Sequence, residues 1–384
     1  MIKVAVIGIG GIASAHLDAY RAFQDRCRVV AFCDQAIDHA IDTAKEWNMD
    51  IDCYDDYEEL LERPDIDLVS ICTPPFTHAP IAIKALESGK HVLVEKPMAA
   101  SLAECDAMNE AAERNNRILS VVAQNRFTNP MMKVKRVLET KVMGPILHTQ
   151  VDSYWWRGNS YYDLWWRGTW EKEGGGCTLN HAVHHIDLFK WMNGMPNEVT
   201  AITSNAGHDN AEVEDLSIAI CKYDDGSLAQ ITSSVVHHGE EQQLIFQGAN
   251  ARVSVPWKVR AMSARENGFP QENQVLEEKL ERMYEKQQDI PYEGHKGQIF
   301  DVLQAIEQDV PVLVDGIQGR QTLELITAIY QSASLGQTVK LPLDHTSPFY
   351  SREGLLKNTT YFYEKKNSIE RFQDNTITTG GEYE

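Results

Sequence analysis

The first third of the chain alternates short apolar runs with stretches in which apolar residues recur at helical spacing. Short, fully apolar strands that alternate with helices are typical of βαβ units around a parallel sheet covered on both faces. We therefore predict a doubly wound α/β Rossmann domain over residues 1–124. The predicted strands are 3–7, 28–33, 67–72, 91–94 and 118–123, and the predicted helices are 12–23, 37–47, 80–88 and 102–115.

After residue 124 the pattern changes to strands with period-two alternation and no helices between them, which indicates an antiparallel sheet. Asp225-Gly226 is a strong hairpin signal between two of these strands. We predict an α/β domain with an open, mainly antiparallel sheet over 125–343 and a polar extension over 344–384, whose last ten or so residues we expect to be mobile. The predicted strands are 145–153, 198–204, 216–223, 227–236, 242–248 and 252–256, with helices at 131–140, 178–192, 295–308 and 316–334 and a short strand at 340–342 that returns to the first domain.

Composition narrows the classes of partner. The 384 residues carry a net charge of -20, which disfavours binding to nucleic acid or to an anionic membrane surface. We find no signal peptide and no apolar stretch long enough to span a membrane. The seven cysteines include no C-x-x-C pair, and scattered unpaired thiols favour the reducing cytoplasm.

A glycine-rich hexamer follows the first strand and opens the first helix. Gly8-Ile9-Gly10-Gly11-Ile12-Ala13 has the G-x-G-x-x-A spacing of dinucleotide-binding turns. Gly8 allows the tight turn, Gly10 admits a pyrophosphate, and Ala13 permits close helix–strand packing. The alternative is an ordinary βα turn without a ligand.

Asp34 ends the second strand about twenty residues later, where a carboxylate can accept hydrogen bonds from a ribose and repel a 2′-phosphate. This position favours NAD over NADP. The alternative is that Asp34 caps the following helix. Thr73 and Pro74 end another strand at the expected ligand crevice, although they also fit a plain loop.

Two further clusters suit acid–base chemistry. Glu95-Lys96-Pro97 ends a strand, and Pro97 fixes the chain just after Lys96, although a solvated turn is an alternative. In the second cluster a Gly-rich run precedes Asn180 and His184 at helical spacing, with Asp187 one turn further on to orient the His184 ring. The alternative for His184 is a buried structural histidine, a role that we assign to His185. The His and Cys spacings predict no metal site.

Together these motifs resemble the glucose–fructose oxidoreductase, inositol dehydrogenase and MocA family, over nearly the whole chain. The resemblance implies catalytic roles for Lys96 and His184 with position 180 as their partner. Many members carry Asp there, and because Asn180 cannot accept a proton, His184 is the better candidate base. We assign cofactor contacts to Gly8, Gly10, Gly11, Ile12, Asp34, Thr73, Pro74, His78, Glu95 and Lys96.

Five of the eight tryptophans lie between residues 155 and 170, interspersed with arginines. Aromatic faces beside guanidinium groups suit a polyhydroxylated ring, and the alternative is loop packing or a subunit contact. Residue 295 opens a late helix and is a further candidate. The predicted substrate-binding residues are Lys96, Arg126, Trp156, Arg157, Tyr162, Trp166, Arg167, Asn180 and His184.

The sequence thus predicts an NAD-dependent dehydrogenase that oxidises a secondary hydroxyl of a sugar, sugar derivative or cyclic polyol such as an inositol. An NAD-recycling glycosidase and a non-catalytic sugar or nucleotide sensor are the alternatives. We expect a homodimer or homotetramer formed through the antiparallel sheet.

Overall fold

The computed structural model describes residues 1–370 and 372, and its first layer is a six-stranded parallel sheet in the order β3-β2-β1-β4-β5-β6. Its strands are almost entirely buried because helices cover both faces. The Rossmann fold predicted from the alternating pattern is confirmed. The strands are β1 Ile2–Ile7, β2 Cys27–Cys33, β3 Asp52–Tyr54, β4 Leu68–Ile71, β5 His91–Val94 and β6 Leu119–Val121.

Five helices connect or flank these strands. They are α1 Ala13–Arg21, α2 Ile37–Glu46, α3 Tyr57–Leu61, α4 His78–Glu87 and α5 Leu102–Asn115. The last of them begins at a Ser101 cap whose hydroxyl accepts the Glu104 N–H. Neither β3 nor α3 was predicted, because β3 has three residues and α3 has five, which is too few to show a periodic pattern.

The second layer is a nine-stranded sheet in the order β14-β13-β12-β11-β7-β10-β9-β8-β15. All of its pairings are antiparallel except β7 with β10, which is parallel. The prediction of a mainly antiparallel sheet is therefore confirmed. The strands are β7 Ile146–Tyr154, β8 Glu198–Ser204, β9 Leu216–Lys222, β10 Leu228–Ser234, β11 Gln242–Gly248, β12 Ala251–Val255, β13 Lys258–Ala264, β14 Pro270–Glu272 and β15 Val339–Lys340.

One face of this sheet packs on helices and the other is exposed. Alternate residues of β9 are buried and exposed in turn, as a half-buried strand requires. The helices of this part are α6 Asn129–Glu139, α7 Cys177–Asn180, α8 Val183–Asn193, α9 Gln274–Glu285, α10 Gly294–Gln308, α11 Gly316–Leu335 and α12 Arg352–Asn358.

Helices α10 and α11 tie the two layers together. Helix α10 packs against α1, and its buried Gln298 amide accepts the Ala123 N–H at 2.8 Å and donates to the Val121 carbonyl at 2.7 Å. The end of β6 is thereby fixed beside the second layer. The proposed boundaries at residues 124 and 343 stay predictions.

Two predicted elements are wrong. The helix over 178–192 is broken between α7 and α8, where the Ala182 N–H bonds the Cys177 carbonyl five residues back and so widens the turn. The strand predicted at 340–342 does not return to the first sheet. Instead β15 pairs antiparallel with β8 at the edge of the second sheet, which saturates an otherwise open strand edge.

The extension packs back on its own chain as far as the structure describes it. Phe349 is fully buried, and the Trp170 indole donates to the Thr360 carbonyl at 3.1 Å. Asn210 accepts the N–H groups of Lys366 and Asn367. The residues expected to be mobile lie outside the described residues. Within residues 1–370 and 372, no helix is long and apolar enough to cross a membrane.

Candidate active site

The glycine turn at the carboxyl end of β1 is shaped for close backbone approach. Gly8 adopts φ +88°, and a Cβ there would lie 2.7 Å from Thr73 Cγ2, so only glycine fits. A Cβ at Gly10 would meet no atom of the described residues within 4 Å, and Gly10, Gly11 and Ile12 are exposed ahead of α1. The free N–H groups of this helix start, beside an open approach, fit a dinucleotide pyrophosphate.

Asp34 follows β2 and closes the same turn. Its Oδ2 accepts the Ile9 N–H at 2.8 Å, and its Oδ1 accepts the Ala36 N–H at 2.9 Å. The carboxylate therefore braces the glycine turn and the approach to α2 together. Each oxygen keeps a further lone pair, so this structural role leaves room for a ribose hydroxyl.

Thr73 and Pro74 follow β4 and lie half-buried at the same edge of the sheet. His78 does not extend this wall, which corrects its assignment as a cofactor contact. Its ring is fully buried, with Nε2 2.7 Å from the Thr73 carbonyl and Nδ1 2.9 Å from the Pro97 carbonyl. His78 thus joins two loops at the crevice from behind.

Glu95 lies beneath Lys96 at the end of β5. Its Oε1 is 3.1 Å from His16 Nε2 and 3.4 Å from His295 Nε2, while its Oε2 accepts the Lys96 N–H. Burial alone raises the pKa of Glu95, but the hydrogen bond from His16 and the nearby His295 ring hold that pKa well below its usual range. Direct contact between Glu95 and the cofactor stays a prediction.

The three side chains His16, Glu95 and His295 bring their ligand atoms within 4.8 Å of one another, which is close enough to hold a metal ion. Sequence spacing could not show this, since the residues come from α1, the end of β5 and the start of α10. His295, a candidate for the substrate, instead faces Glu95 and the His16 ring.

Lys96 and His184 line one cavity at the crevice, together with Asn125 and Thr322. Burial lowers the pKa of Lys96, against the opposing pull of Glu95. Burial also lowers the pKa of His184 well below its usual range, and the Lys96 charge adds to the shift. A neutral imidazole beside a lysine can accept a proton from a hydroxyl.

Asn180 contacts Lys96 through its backbone and the glycine run through its side chain. Its carbonyl accepts a long hydrogen bond from Lys96 Nζ at 3.4 Å, and its side-chain NH₂ donates to the Gly175 carbonyl at 2.8 Å. The glycine run before Asn180 packs closely on its own chain. A Cβ at Gly176 would lie 1.9 Å from the Glu214 carbonyl oxygen, so the run is small in order to pack on the chain before β9.

The ion pair of Arg126 with Asp187 overturns two expectations. Arg126 is fully buried, and its guanidinium donates to both Asp187 oxygens at 2.6 and 2.7 Å. Burial raises the pKa of Asp187, but Arg126 more than offsets this and holds that pKa below its ordinary value. Arg126 is therefore not a substrate ligand, and Asp187 serves Arg126 rather than the ring of His184.

The aromatic segment divides into buried and exposed parts. Trp156 is 45% exposed and stacks on His238, and the Arg167 guanidinium covers the Trp166 ring at 4.3 Å. Arg157 pairs with Glu240. Tyr162 is only 1% exposed and packs edge-on against His208, so its assignment to the substrate is wrong.

The neighbouring residue Tyr161 instead belongs to a cluster with His181 and Glu173, which interact electrostatically with Lys96. Tyr161 Oη is 3.4 Å from His181 Nε2 and also contacts Arg167. Glu173 is buried against Arg167 at 3.3 Å. Sequence reasoning missed His181 because the widened turn after α7 rotates it away from its helical position. The Tyr161-Tyr162 pair signalled the segment but not which ring faces the site.

Both halves of the chain match one family. Residues 2–123 match the GFO_IDH_MocA model, described as an oxidoreductase family with an NAD-binding Rossmann fold, and residues 135–341 match the C-terminal alpha/beta domain of that family.

The chain is also similar to individual proteins of known activity. It is 27% identical over 258 residues to the 2,7-anhydro-N-acetylneuraminate hydratase of Mediterraneibacter gnavus, covering 66% of this chain and 67% of that protein. It is 23% identical to the D-glucoside 3-dehydrogenase of Escherichia coli, covering 88% and 97%. The WlbA dehydrogenase of Bordetella pertussis, solved with NADH and UDP-GlcNAcA, superposes with a TM-score of 0.77 at 27% identity, covering 89% of this chain and 99% of WlbA.

Proposed function

Because the chain belongs to the Gfo/Idh/MocA oxidoreductase family and its Rossmann domain binds NAD, we propose that it is a dehydrogenase acting on a sugar or cyclic polyol. It oxidises a secondary hydroxyl of that ring, with NAD as the hydride acceptor. The observation that carries this proposal is the shared cavity of Lys96 and His184 at the carboxyl edge of the parallel sheet, near the glycine turn.

The residues of the chain divide the chemistry between them. His184, whose pKa is well below its usual range, takes the hydroxyl proton as a neutral base. The Lys96 ammonium donates a hydrogen bond to the oxygen on which charge develops. NAD, when bound, would supply the acceptor for the hydride of the carbinol carbon. The Asn180 carbonyl holds the Lys96 amine, and Glu95 holds its backbone, so both residues position the lysine.

The substrate class is supported by the segment over 154–170. Exposed Trp156 and half-buried Trp166 offer ring faces beside Arg157 and Arg167, which suits the C–H faces and oxygens of a sugar. Relatives named for D-glucoside, levoglucosan and inositol oxidation add support.

We place the protein in the cytoplasm as a homodimer or homotetramer. All seven cysteines are free thiols, which suits a reducing compartment. Ile202, Ile218 and Ile220 form an apolar patch on the exposed face of β8 and β9, with exposures of 75%, 51% and 53%. Such a patch marks an interaction surface.

The test is the formation of NADH by purified protein supplied with NAD or NADP and a panel of inositols, aldoses, sugar acids and glycosides. Steady NADH formation with one ring class is the expected result. A protein that binds NAD but forms no NADH with any member contradicts net oxidation.

A second candidate is a reaction in which NAD is reduced and reoxidised on the enzyme. The similarity to the 2,7-anhydro-N-acetylneuraminate hydratase favours it. Product formation without NADH release, and with dependence on catalytic amounts of NAD, distinguishes this reaction from net oxidation.

A further inference from the structure

Three basic or donor side chains converge on the ring of Tyr161. The guanidinium carbon of Arg167 lies 4.1 Å from its centroid, that of Arg157 lies 5.6 Å away, and the His181 ring centroid is also 5.6 Å away. We call Arg157, Tyr161, Arg167 and His181 the basic pocket. It adjoins Lys96, whose charge acts on His181.

The hydrogen bonds of this pocket leave donors without acceptors. Arg167 Nη1 donates to the Tyr161 hydroxyl oxygen, which lies 3.4 Å from His181 Nε2. In the tautomer in which Tyr161 donates its proton to His181 Nε2, the His181 proton is on Nδ1. His181 Nδ1 and Arg167 Nε are both buried and have no hydrogen-bond partner among the described residues. Buried donors are normally paired, so these two nitrogens indicate a ligand that accepts hydrogen bonds.

The charge around these donors is positive. Burial lowers the pKa of His181 well below its usual range, and Arg157, Arg167 and Lys96 lower it further. The facing carboxylates are Glu240 on Arg157 and Glu173 on Arg167. Burial raises the pKa of Glu173 to about 7, so Glu173 neutralises Arg167 only in part. This concentration of cations contrasts with the net charge of -20 of the chain.

We infer that the basic pocket binds a carboxylate carried by the substrate, so that the ring oxidised at Lys96 and His184 is a sugar acid. The inference rests on the proposed function only for the identity of the ring. A planar guanidinium with coplanar donors matches the two oxygens of a carboxylate. Glu173 and Glu240 act as positioning residues, because each holds one arginine by its Nη1 atom.

The test is binding to NAD-loaded protein, followed by tryptophan fluorescence, with D-glucuronate, D-galacturonate and D-mannuronate as probes. Their methyl esters, the neutral parent sugars and glucose 6-phosphate are the comparison ligands. We expect at least one acid to bind about 10- to 100-fold more tightly than its own ester, as expected for charge-assisted hydrogen bonds in a partly buried site.

Variants test whether the basic pocket causes the preference for the acid over its ester. Arg167→Gln removes the acid preference, Arg167→Lys retains part of it, and Arg157→Gln weakens it with less risk to folding because its partner Glu240 is more exposed than Glu173. The matched control is Arg114→Gln, an exposed arginine on α5 that pairs with Glu87. NAD affinity stays unchanged in all four.

Equal binding of acids and esters, tighter binding of the phosphate, or no binding of any acid overturns the inference. NADH formation measured in the same samples reports the proposed function separately. An acid that binds but yields no NADH leaves the carboxylate site standing and contradicts net oxidation. Neutral sugars that are oxidised as efficiently as the acids support net oxidation and contradict the carboxylate site.

Discussion

Arg126 and Asp187 form a buried bidentate ion pair, with Nε–Oδ2 at 2.6 Å and Nη2–Oδ1 at 2.7 Å. The pair connects the loop after β6 to α8, the helix that carries His184. Thr322 of α11 donates to the same carboxylate at 2.8 Å. A strand end, a catalytic helix and the long α11 are thereby held by one set of charge-assisted hydrogen bonds.

Removing one partner of this pair leaves the other charge buried. We expect Arg126→Met to lower the free energy of unfolding by about 3–5 kcal/mol, measured by urea denaturation. Arg26→Gln, which breaks the more exposed pair with Glu307, is the control and costs at most about 1 kcal/mol. A stable Arg126→Met protein with a raised KM for substrate would restore Arg126 as a substrate ligand.

The sequence was sufficient for elements that local patterns determine, and not for long-range pairs of this kind. The strands at 91–94 and 198–204 and the helix at 102–115 were predicted to the residue, because their own apolar periodicity and caps determine them. By contrast, the pairing of Arg126 with Asp187 depends on residues 61 positions apart. No local pattern reports which partner a buried charge will meet.

The site shows the same division. Gly8, Asp34 and Lys96 were predicted because each follows a strand of the doubly wound sheet, and His184 was predicted from its helical spacing to Asn180. His181 was missed because its direction depends on the widened turn between α7 and α8. The burial of Tyr162 rather than Tyr161 is likewise decided by packing on Gly168 and His208.

Cofactor preference depends on the Asp34 carboxylate. We expect Asp34→Ser, which keeps an acceptor but removes the charge, to raise the NADP-to-NAD ratio of kcat/KM by about tenfold, or ~1.4 kcal/mol. Steady-state rates with both cofactors measure it. Asp38→Ser, at the start of the neighbouring α2, is the control. An unchanged ratio assigns Asp34 to bracing Ile9 and Ala36 alone.

Lys96 and His184 are expected to affect turnover and not cofactor binding. Lys96→Met and His184→Asn each lower kcat by about 10²–10⁴-fold, the range for lost acid–base groups. NAD binding, measured by calorimetry, stays detectable in both variants because the glycine turn and Asp34 are unchanged. The control is the buried His185, which is bonded to Ser153 at 2.9 Å. We expect His185→Asn to lower the free energy of unfolding rather than kcat. Near-native turnover by Lys96→Met would remove the lysine from the mechanism.

The exposed isoleucines predict assembly through the second sheet. Ile202 and Ile218 are cross-strand partners on β8 and β9, so a charge at either disrupts the same patch. We expect Ile218→Arg to shift the native dimer or tetramer to a smaller species in analytical ultracentrifugation. Val275→Arg, 78% exposed on α9, leaves the assembly unchanged. A native protein that sediments as a monomer contradicts the proposed assembly outright.

Glu173 predicts a pH-dependent stability with a definite sign. Burial raises the pKa of Glu173 from its ordinary value of 4.5 to about 7 in the folded protein. Between these values the folded state binds more protons than the unfolded state, so this residue makes the free energy of unfolding fall as pH rises through the window.

Glu173→Gln removes that loss and still offers an oxygen to the Gly168 N–H. We expect the variant to match the native protein near the lower end of the window and to exceed it above the upper end, by up to ~3 kcal/mol at ~1.4 kcal/mol per pKa unit. Melting temperatures measured across the window test this, with the exposed neighbour Glu171→Gln as control. Other buried groups such as Glu214 titrate in both proteins and cancel in the difference, so parallel melting curves for native protein and Glu173→Gln would show that Glu173 is already ionised at the lower end.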